Sequence, residues 1–152
     1  MSKPLPLDQA GQVEIVRCSI MKSSGFTIDI MPQLDFVNIY EDIYSPFMSG
    51  YIVLSDTYDL PGVIGRSGRD MLYLTIKTPS MNEPQWINRV FYIYKMTNRT
   101  EFKDRLQGYK LHFVSSEFAT DIMRTTSKLF SGTPSSIVAS ILDDQLKTDL
   151  PL

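Results

Sequence analysis

Between Val13 and Ser115 several short runs alternate apolar and polar residues, and glycine, proline and small polar residues cut them apart. A period of two is the signature of a pleated strand with one buried face, because a helix repeats its apolar face about every 3.6 residues. Val13-Glu14-Ile15-Val16-Arg17-Cys18-Ser19-Ile20-Met21 is rich in β-branched residues. It runs into a turn at Lys22-Ser23-Ser24-Gly25, after which Phe26, Ile28 and Ile30 alternate with Thr27 and Asp29. Two alternating runs around a short glycine-containing turn predict a hairpin. After Pro32 the stretch 36–43 places Val37, Ile39 and Ile43 on one parity and Asn38, Tyr40 and Asp42 on the other, a half-buried strand. Gly50-Tyr51-Ile52-Val53-Leu54-Ser55 is a continuous apolar run, which predicts a strand buried on both faces.

Residues 59–68 carry too much punctuation for regular structure and predict a long connection. Leu72, Leu74 and Ile76 then alternate with Tyr73, Thr75 and Lys77, before Pro79 and an exposed loop over 81–84. Val90-Phe91-Tyr92-Ile93-Tyr94-Lys95-Met96 is the most aromatic strand. Tyr109, Leu111 and Phe113 alternate with Lys110 and His112 in the next, and the charged residues 98–105 between them predict a solvated hairpin tip.

The period changes after Ser116. Phe118, Ile122 and Met123 fit a short amphipathic helix near 117–124, with Glu117 and Asp121 early in it, favourable at the positive end of the helix dipole. A second helix is expected over 134–147. Thr133 is its N-cap, Pro134 sits where a missing N–H costs nothing, and Ile137, Val138, Ile141, Leu142 and Leu146 form one apolar stripe opposite Ser140, Asp143 and Lys147. Ile137, Val138, Ile141 and Leu142 are expected to seal the core. Strands first and helices last predict a mainly β, α+β chain: an antiparallel barrel or sandwich with two C-terminal helices, not alternating βα units. Residues 1–10, with Pro4 and Pro6, read as an extended arm, and 11–152 as one domain.

Charge and cysteine content narrow the function. Fifteen Lys and Arg balance seventeen Asp and Glu for a net charge of −2, and the basic residues are not clustered, which argues against binding nucleic acid mainly by charge; no specific nucleic-acid binding is expected. No apolar run approaches the roughly 18–20 residues that span a bilayer, so no membrane partner is expected. One cysteine, Cys18, excludes an internal disulfide; inside an apolar strand it reads as an inert buried thiol. The single histidine, His112, has no second imidazole or thiol to complete a zinc site, and no cofactor, metal or catalytic residue is expected. Gly65-Arg66-Ser67-Gly68 fits neither a phosphate loop nor a nucleophile elbow, and the adjacent carboxylates Glu41-Asp42 and Asp143-Asp144 diverge as solvated faces. The aromatic and basic residues Tyr92, Tyr94, Lys95, Tyr109 and Lys110 fit two roles. They can form the core and seam of an assembly subunit, the reading preferred here, or a platform for single-stranded nucleic acid on a small barrel.

Taken together, the blocks 36–43 to Gly50-Tyr51-Ile52, Leu60-Pro61-Gly62-Val63-Ile64-Gly65, Leu72 to Pro79, Val90 to Lys95, Tyr109 to Ser115 and Phe130-Ser131-Gly132-Thr133-Pro134-Ser135-Ser136-Ile137-Val138 resemble the first domain of the baseplate hub proteins of contractile-tailed bacteriophages. The likeness lies in block order and strand texture from about Val13 to Leu146, not in a catalytic motif. It implies a tail-tube-like antiparallel β-barrel with flanking helix. It also implies a non-enzymatic structural subunit that adapts a three-fold central spike to a six-fold tail tube. The partners so implied are copies of itself in a trimeric or hexamer-like ring, tail-tube or tube-initiator proteins, the spike and other baseplate proteins, in a virion assembled in the host cytoplasm. Family hubs continue beyond the last helix, so this chain is either a reduced form or the first domain of something longer. If the ring encloses a channel for DNA, neutral or acidic side chains should line it, and the polar-parity residues Asp29, Asn38 and Asp42 are the candidates.

Overall fold

A computed structural model describes residues 12–45, 47–64, 69–78, 86–102, 106–123, 127 and 129–146. The arm at 1–10, the loops at 65–68 and 81–84, residues 103–105 and Lys147 lie outside the described residues. Seven antiparallel strands build one sheet: β1 (Glu14–Met21), β2 (Thr27–Asp29), β3 (Leu34–Tyr40), β4 (Ser49–Asp56), β5 (Met71–Lys77), β6 (Ile87–Glu101) and β7 (Gln107–Ser115). Their order is β2-β1-β5-β6-β7-β4-β3, and the sheet curls into a half-barrel with β2 and β3 as its edges. The architecture is mainly β with helices following the strands, as the change of period predicts.

The first hairpin closes at the expected turn. Lys22 N donates to the Phe26 carbonyl at 2.9 Å and Gly25 N to the Lys22 carbonyl at 2.8 Å, with Gly25 at a φ of +86° that side-chain-bearing residues rarely adopt. A 3-10 turn, Met31–Gln33, then carries the chain to β3 and packs against both β1 and β4, so the two halves of the sheet are strapped together where the barrel is open. The concave face holds the core: Cys18 and Ile20 of β1, Leu72 and Leu74 of β5, Phe91 of β6, Leu111 and Phe113 of β7, and Ile52 and Leu54 of β4 are all buried. Phe91 and Phe113 meet at 4.6 Å between ring centroids, inside the range where aromatic pairs add to simple burial.

Four sequence expectations change. β4 is buried on one face only: Gly50, Ile52, Leu54 and Asp56 point to the core, while Tyr51, Val53 and Ser55 are half-buried on the other side. The apolar run hid an alternation because Tyr51 and Val53 are apolar enough to belong to either face. Ile43 lies beyond the end of β3 in a turn and is 94% exposed, so only Val37 and Ile39 of its parity reach the core. The segment from Asn98 is not a hairpin tip until residue 102, because β6 continues to Glu101, which pairs with Gln107. Residues 60–63 form a helical turn, α1 (Leu60–Val63), within the predicted irregular connection. Its start is stabilised by the buried Asp56 carboxylate, which accepts hydrogen bonds from Leu60 N and Tyr58 N, each at 2.7 Å.

The helices sit where the period predicts. α2 spans Ser116–Met123, and α3 spans Pro134–Ser140 and runs on as a π-helical turn, Ile141–Leu146. Thr133 caps α3, its side chain accepting from Ser136 N at 3.4 Å. The apolar stripe nevertheless does not seal the core. Ile137, Ile141 and Leu142 are half-buried, Val138 is 48% exposed, and none belongs to the buried cluster. The strand core is filled by its own concave residues, and the helical tail packs mainly beside α2. Ile141→Ala is therefore expected to cost about 1 kcal/mol, not the roughly 2–5 kcal/mol of a fully buried site. Thermal unfolding followed by circular dichroism checks this, and a loss in the buried range would place the stripe in the core after all.

Candidate functional site

The convex face of the sheet carries the unusual chemistry. Ladder register sets Asn38 opposite Tyr51, Tyr51 opposite His112 and His112 opposite Lys95, one row across β3, β4, β7 and β6. The neighbouring row brings Phe36, Val53, Lys110 and Thr97 into line. Because side chains of one parity share a face, this register gathers rings from four strands into one surface. Tyr51 is its centre. Its ring centroid lies 6.3 Å from those of Phe36 and Tyr40 and 5.8 Å from that of His112, and His112 lies 6.2 Å from Tyr94. A register shift between Ile93 and Lys95 inserts Tyr94 as an extra residue and leaves it 57% exposed on this face.

Cations lie against these rings. Lys110 Nζ sits 4.6 Å from the Tyr51 centroid, and the pattern repeats along the sheet with the Arg17 guanidinium 5.0 Å from Tyr73 and Lys77 Nζ 4.9 Å from Trp86. Each pair is the geometry of a cation over a π-face. The carboxylates of the same face are engaged: Glu14 pairs with Lys77 at 3.3 Å, and Asp35 accepts from Ser55 Oγ at 2.5 Å. His112 Nε2 lies 2.7 Å from Thr97 Oγ1. Burial, with the ammonium groups of Lys95 and Lys110 adding, holds its pKa below the ordinary imidazole value. Near neutral pH it is therefore a neutral ring among the aromatics.

The other singled-out residues fall elsewhere. Tyr109 leaves the platform: it is 1% exposed, and its hydroxyl donates to Asp56 Oδ2 at 3.1 Å in the core. Burial and the Asp56 carboxylate push its phenol far above the usual range. Tyr92 is half-buried on the convex face. Asp29 lies exposed on the edge strand β2 and accepts from Met31 N at 3.0 Å. Asn38 lies on the other edge strand, β3, its amide donating to the Tyr51 hydroxyl at 3.5 Å. Asp42 is not a strand residue. β3 ends at Tyr40, and the Asp42 carboxylate accepts from Tyr44 N at 2.9 Å in the following turn. Asp143 and Asp144 are exposed on the π-helical turn.

A cleft of about 590 Å³ opens beside the β6–β7 end, lined by Tyr58, Asp59, Glu101, Phe102 and Gln107 among others. Both its carboxylates lie 3.9 Å from Arg99. Among the described residues no cluster of three His, Cys, Asp or Glu side chains is placed to hold a metal, and no helix is long and apolar enough to cross a membrane. Cys18 is fully buried, and that burial, with the Asp29 carboxylate adding, pushes its thiol up to about 12. Iodoacetamide at mildly alkaline pH should therefore label Cys18 only as fast as the chain opens. Rapid labelling of the folded protein would show a thiol far more accessible than this packing allows.

Sequence reasoning found Tyr94, Lys95 and Lys110 but missed Phe36, Tyr40 and Tyr51. Reading β4 as alternating would have put Tyr51 on the non-core parity, but only pairing register shows which rings it meets. No protein-family profile matches the chain, and no curated protein matches it significantly.

Proposed function

We propose that this protein is a non-enzymatic structural subunit of a phage tail baseplate hub, working as a ring of copies between tail tube and central spike in the virion. The observation that carries the reading is the open sheet. β3 is a seven-residue edge strand whose outward groups no described strand pairs, and it bears the exposed side chains of Phe36 and Tyr40. Isolated proteins blunt such edges with charge, proline, bulges or brevity; β3 has one charge, Asp35, at an irregularity near its start, while Phe36 to Tyr40 is regular and uncharged, a template for a neighbouring chain. The opposite edge, β2, lies at the other end of the strand order, so copies joined edge to edge would make a head-to-tail contact, the kind that closes into rings. Further exposed apolar side chains, Ile43 and Tyr44 after β3 and Ile122 on α2, supply surface for partners above or below the ring.

Within this reading Asp29 and Asp42 remain candidates for a channel lining. Asn38 is the poorer one, because it shares a face with Lys95 and Lys110, which would hold a passing polyanion. The experiment that tests the reading is the native mass by sedimentation at micromolar protein. A defined multiple of the chain mass is expected. A monomer across that range would overturn the ring.

A further inference from the structure

We propose that the convex face of β3, β4, β7 and β6 is a stacking platform for single-stranded nucleic acid, centred on Tyr51. Three observations combine to select that occupant. Phe36, Tyr40 and Tyr94 are each more than half exposed and ring the half-buried Tyr51 and His112, so aromatic side chains from four strands gather on one partly exposed surface. Lys110 and Lys95 flank the same rings, one over Tyr51 and the other opposite His112, where a phosphate backbone crossing the stack would run. The nearby carboxylate, Asp35, accepts from Ser55 Oγ, and the two ammonium groups of Lys95 and Lys110 outnumber it around the rings.

Competing occupants fit less well. A neutral oligosaccharide also lies on aromatic faces and would find an amide in Asn38, but it leaves the charges of Lys95 and Lys110 without a counterpart. A second copy of the chain laid face to face would double the ammonium groups gathered at the patch, and like charges brought close across an interface cost stability. A single strand offers what the face lacks: a negative backbone and unpaired bases whose π-faces stack on tyrosine, phenylalanine and imidazole alike. Such binding is sequence-tolerant and rests on stacking more than on charge, consistent with a chain of net charge −2. The platform shares Phe36 and Tyr40 with the edge proposed to join copies, but its centre, Tyr51, lies on β4 and its cations lie on β6 and β7, away from that edge.

The test is fluorescence anisotropy of a labelled oligothymidylate titrated with the full-length chain at low salt, with duplex DNA of equal length and an uncharged oligosaccharide as comparison probes. Binding of the single strand is expected, weaker on the duplex, whose bases are already stacked. Tyr51→Ala should weaken it about 5- to 150-fold, the equivalent of roughly 1–3 kcal/mol per stacked base, while Tyr51→Phe keeps most of the affinity. Lys110→Gln should flatten the dependence of log affinity on log salt by about 0.7. Melting curves of each variant separate loss of the platform from loss of the fold, and Tyr51→Phe preserves the ring if Tyr51→Ala proves unstable. No binding at low salt, equal affinity for duplex and single strand, preference for the oligosaccharide, or an affinity unchanged in both Tyr51→Ala and Lys110→Gln would each overturn the proposal. Native mass, measured on the same samples, reports separately on the ring.

Discussion

Asp56→Ala is expected to cost about 3–5 kcal/mol, a large part of the roughly 5–15 kcal/mol by which an ordinary domain is stable. Asp56 ends β4 with its carboxylate completely buried, and it receives the backbone N–H groups of Tyr58 and Leu60 and the hydroxyl of Tyr109. Removing it leaves the Leu60 N–H and the Tyr109 hydroxyl without their acceptor, and an orphaned buried donor costs about 1–3 kcal/mol. α1 should fray as well, because a turn containing Pro61 and Gly62 has little intrinsic helical preference to hold it. Tyr109→Phe supplies the contrast. It deletes one donor while the carboxylate keeps both backbone partners, so the loss should be nearer 1 kcal/mol. Chemical denaturation of the two variants measures the difference. Equal losses would mean that Asp56 acts through Tyr109 alone and not through the turn.

Gly50→Ala should be nearly as damaging, at about 3 kcal/mol, the upper end for an overpacked core. A Cβ on Gly50 would collide with the Asn38 carbonyl of the paired strand β3 and come within 2.6 Å of the Phe113 ring. The ring can shift a little; the carbonyl is held in the ladder. Adding Phe113→Leu to Gly50→Ala should therefore recover only part of the loss, a coupling that a double-mutant cycle measures directly. Full recovery would assign the conflict to the ring alone. No loss in Gly50→Ala would show that β3 and β4 pair more loosely here than the register implies. Because Asn38 is paired opposite Tyr51 and donates to its hydroxyl, such a displacement should also weaken the convex face.

Much of the fold was legible because one physical signal repeats. Leu72, Leu74 and Ile76, and later Tyr109, Leu111 and Phe113, point inward because alternate residues of a strand must face the same side, and Thr133-Pro134 starts a helix for reasons local to its backbone. Where the signal weakened, the reading failed in an intelligible way. Val53 and Tyr51 made β4 look buried on both faces. The stripe of Ile137, Val138, Ile141 and Leu142 has the right period for a core helix, but periodicity says which side of a helix is apolar and not what that side meets. The turn at Leu60 was hidden because its stabilising group, Asp56, lies four residues earlier and looks like an ordinary strand-ending aspartate.

The sequence by itself therefore determined the class of architecture, the parity of most strands, the first hairpin, the cap of the last helix, and the burial of a thiol set among apolar neighbours. These depend on backbone preferences and on periods that each segment carries internally. Strand order, register and curl were decided by the tertiary structure. They set Tyr51 among Phe36, Tyr40 and His112, sent Tyr109 inward to Asp56, and left β3 at an edge. A pairing partner is chosen by competition among all strands for complementary faces, and shifting register by one residue exchanges the two faces of a strand. No single segment holds that information. The core was therefore visible in the chain, while the convex surface proposed to bind emerged only when four distant strands were laid side by side.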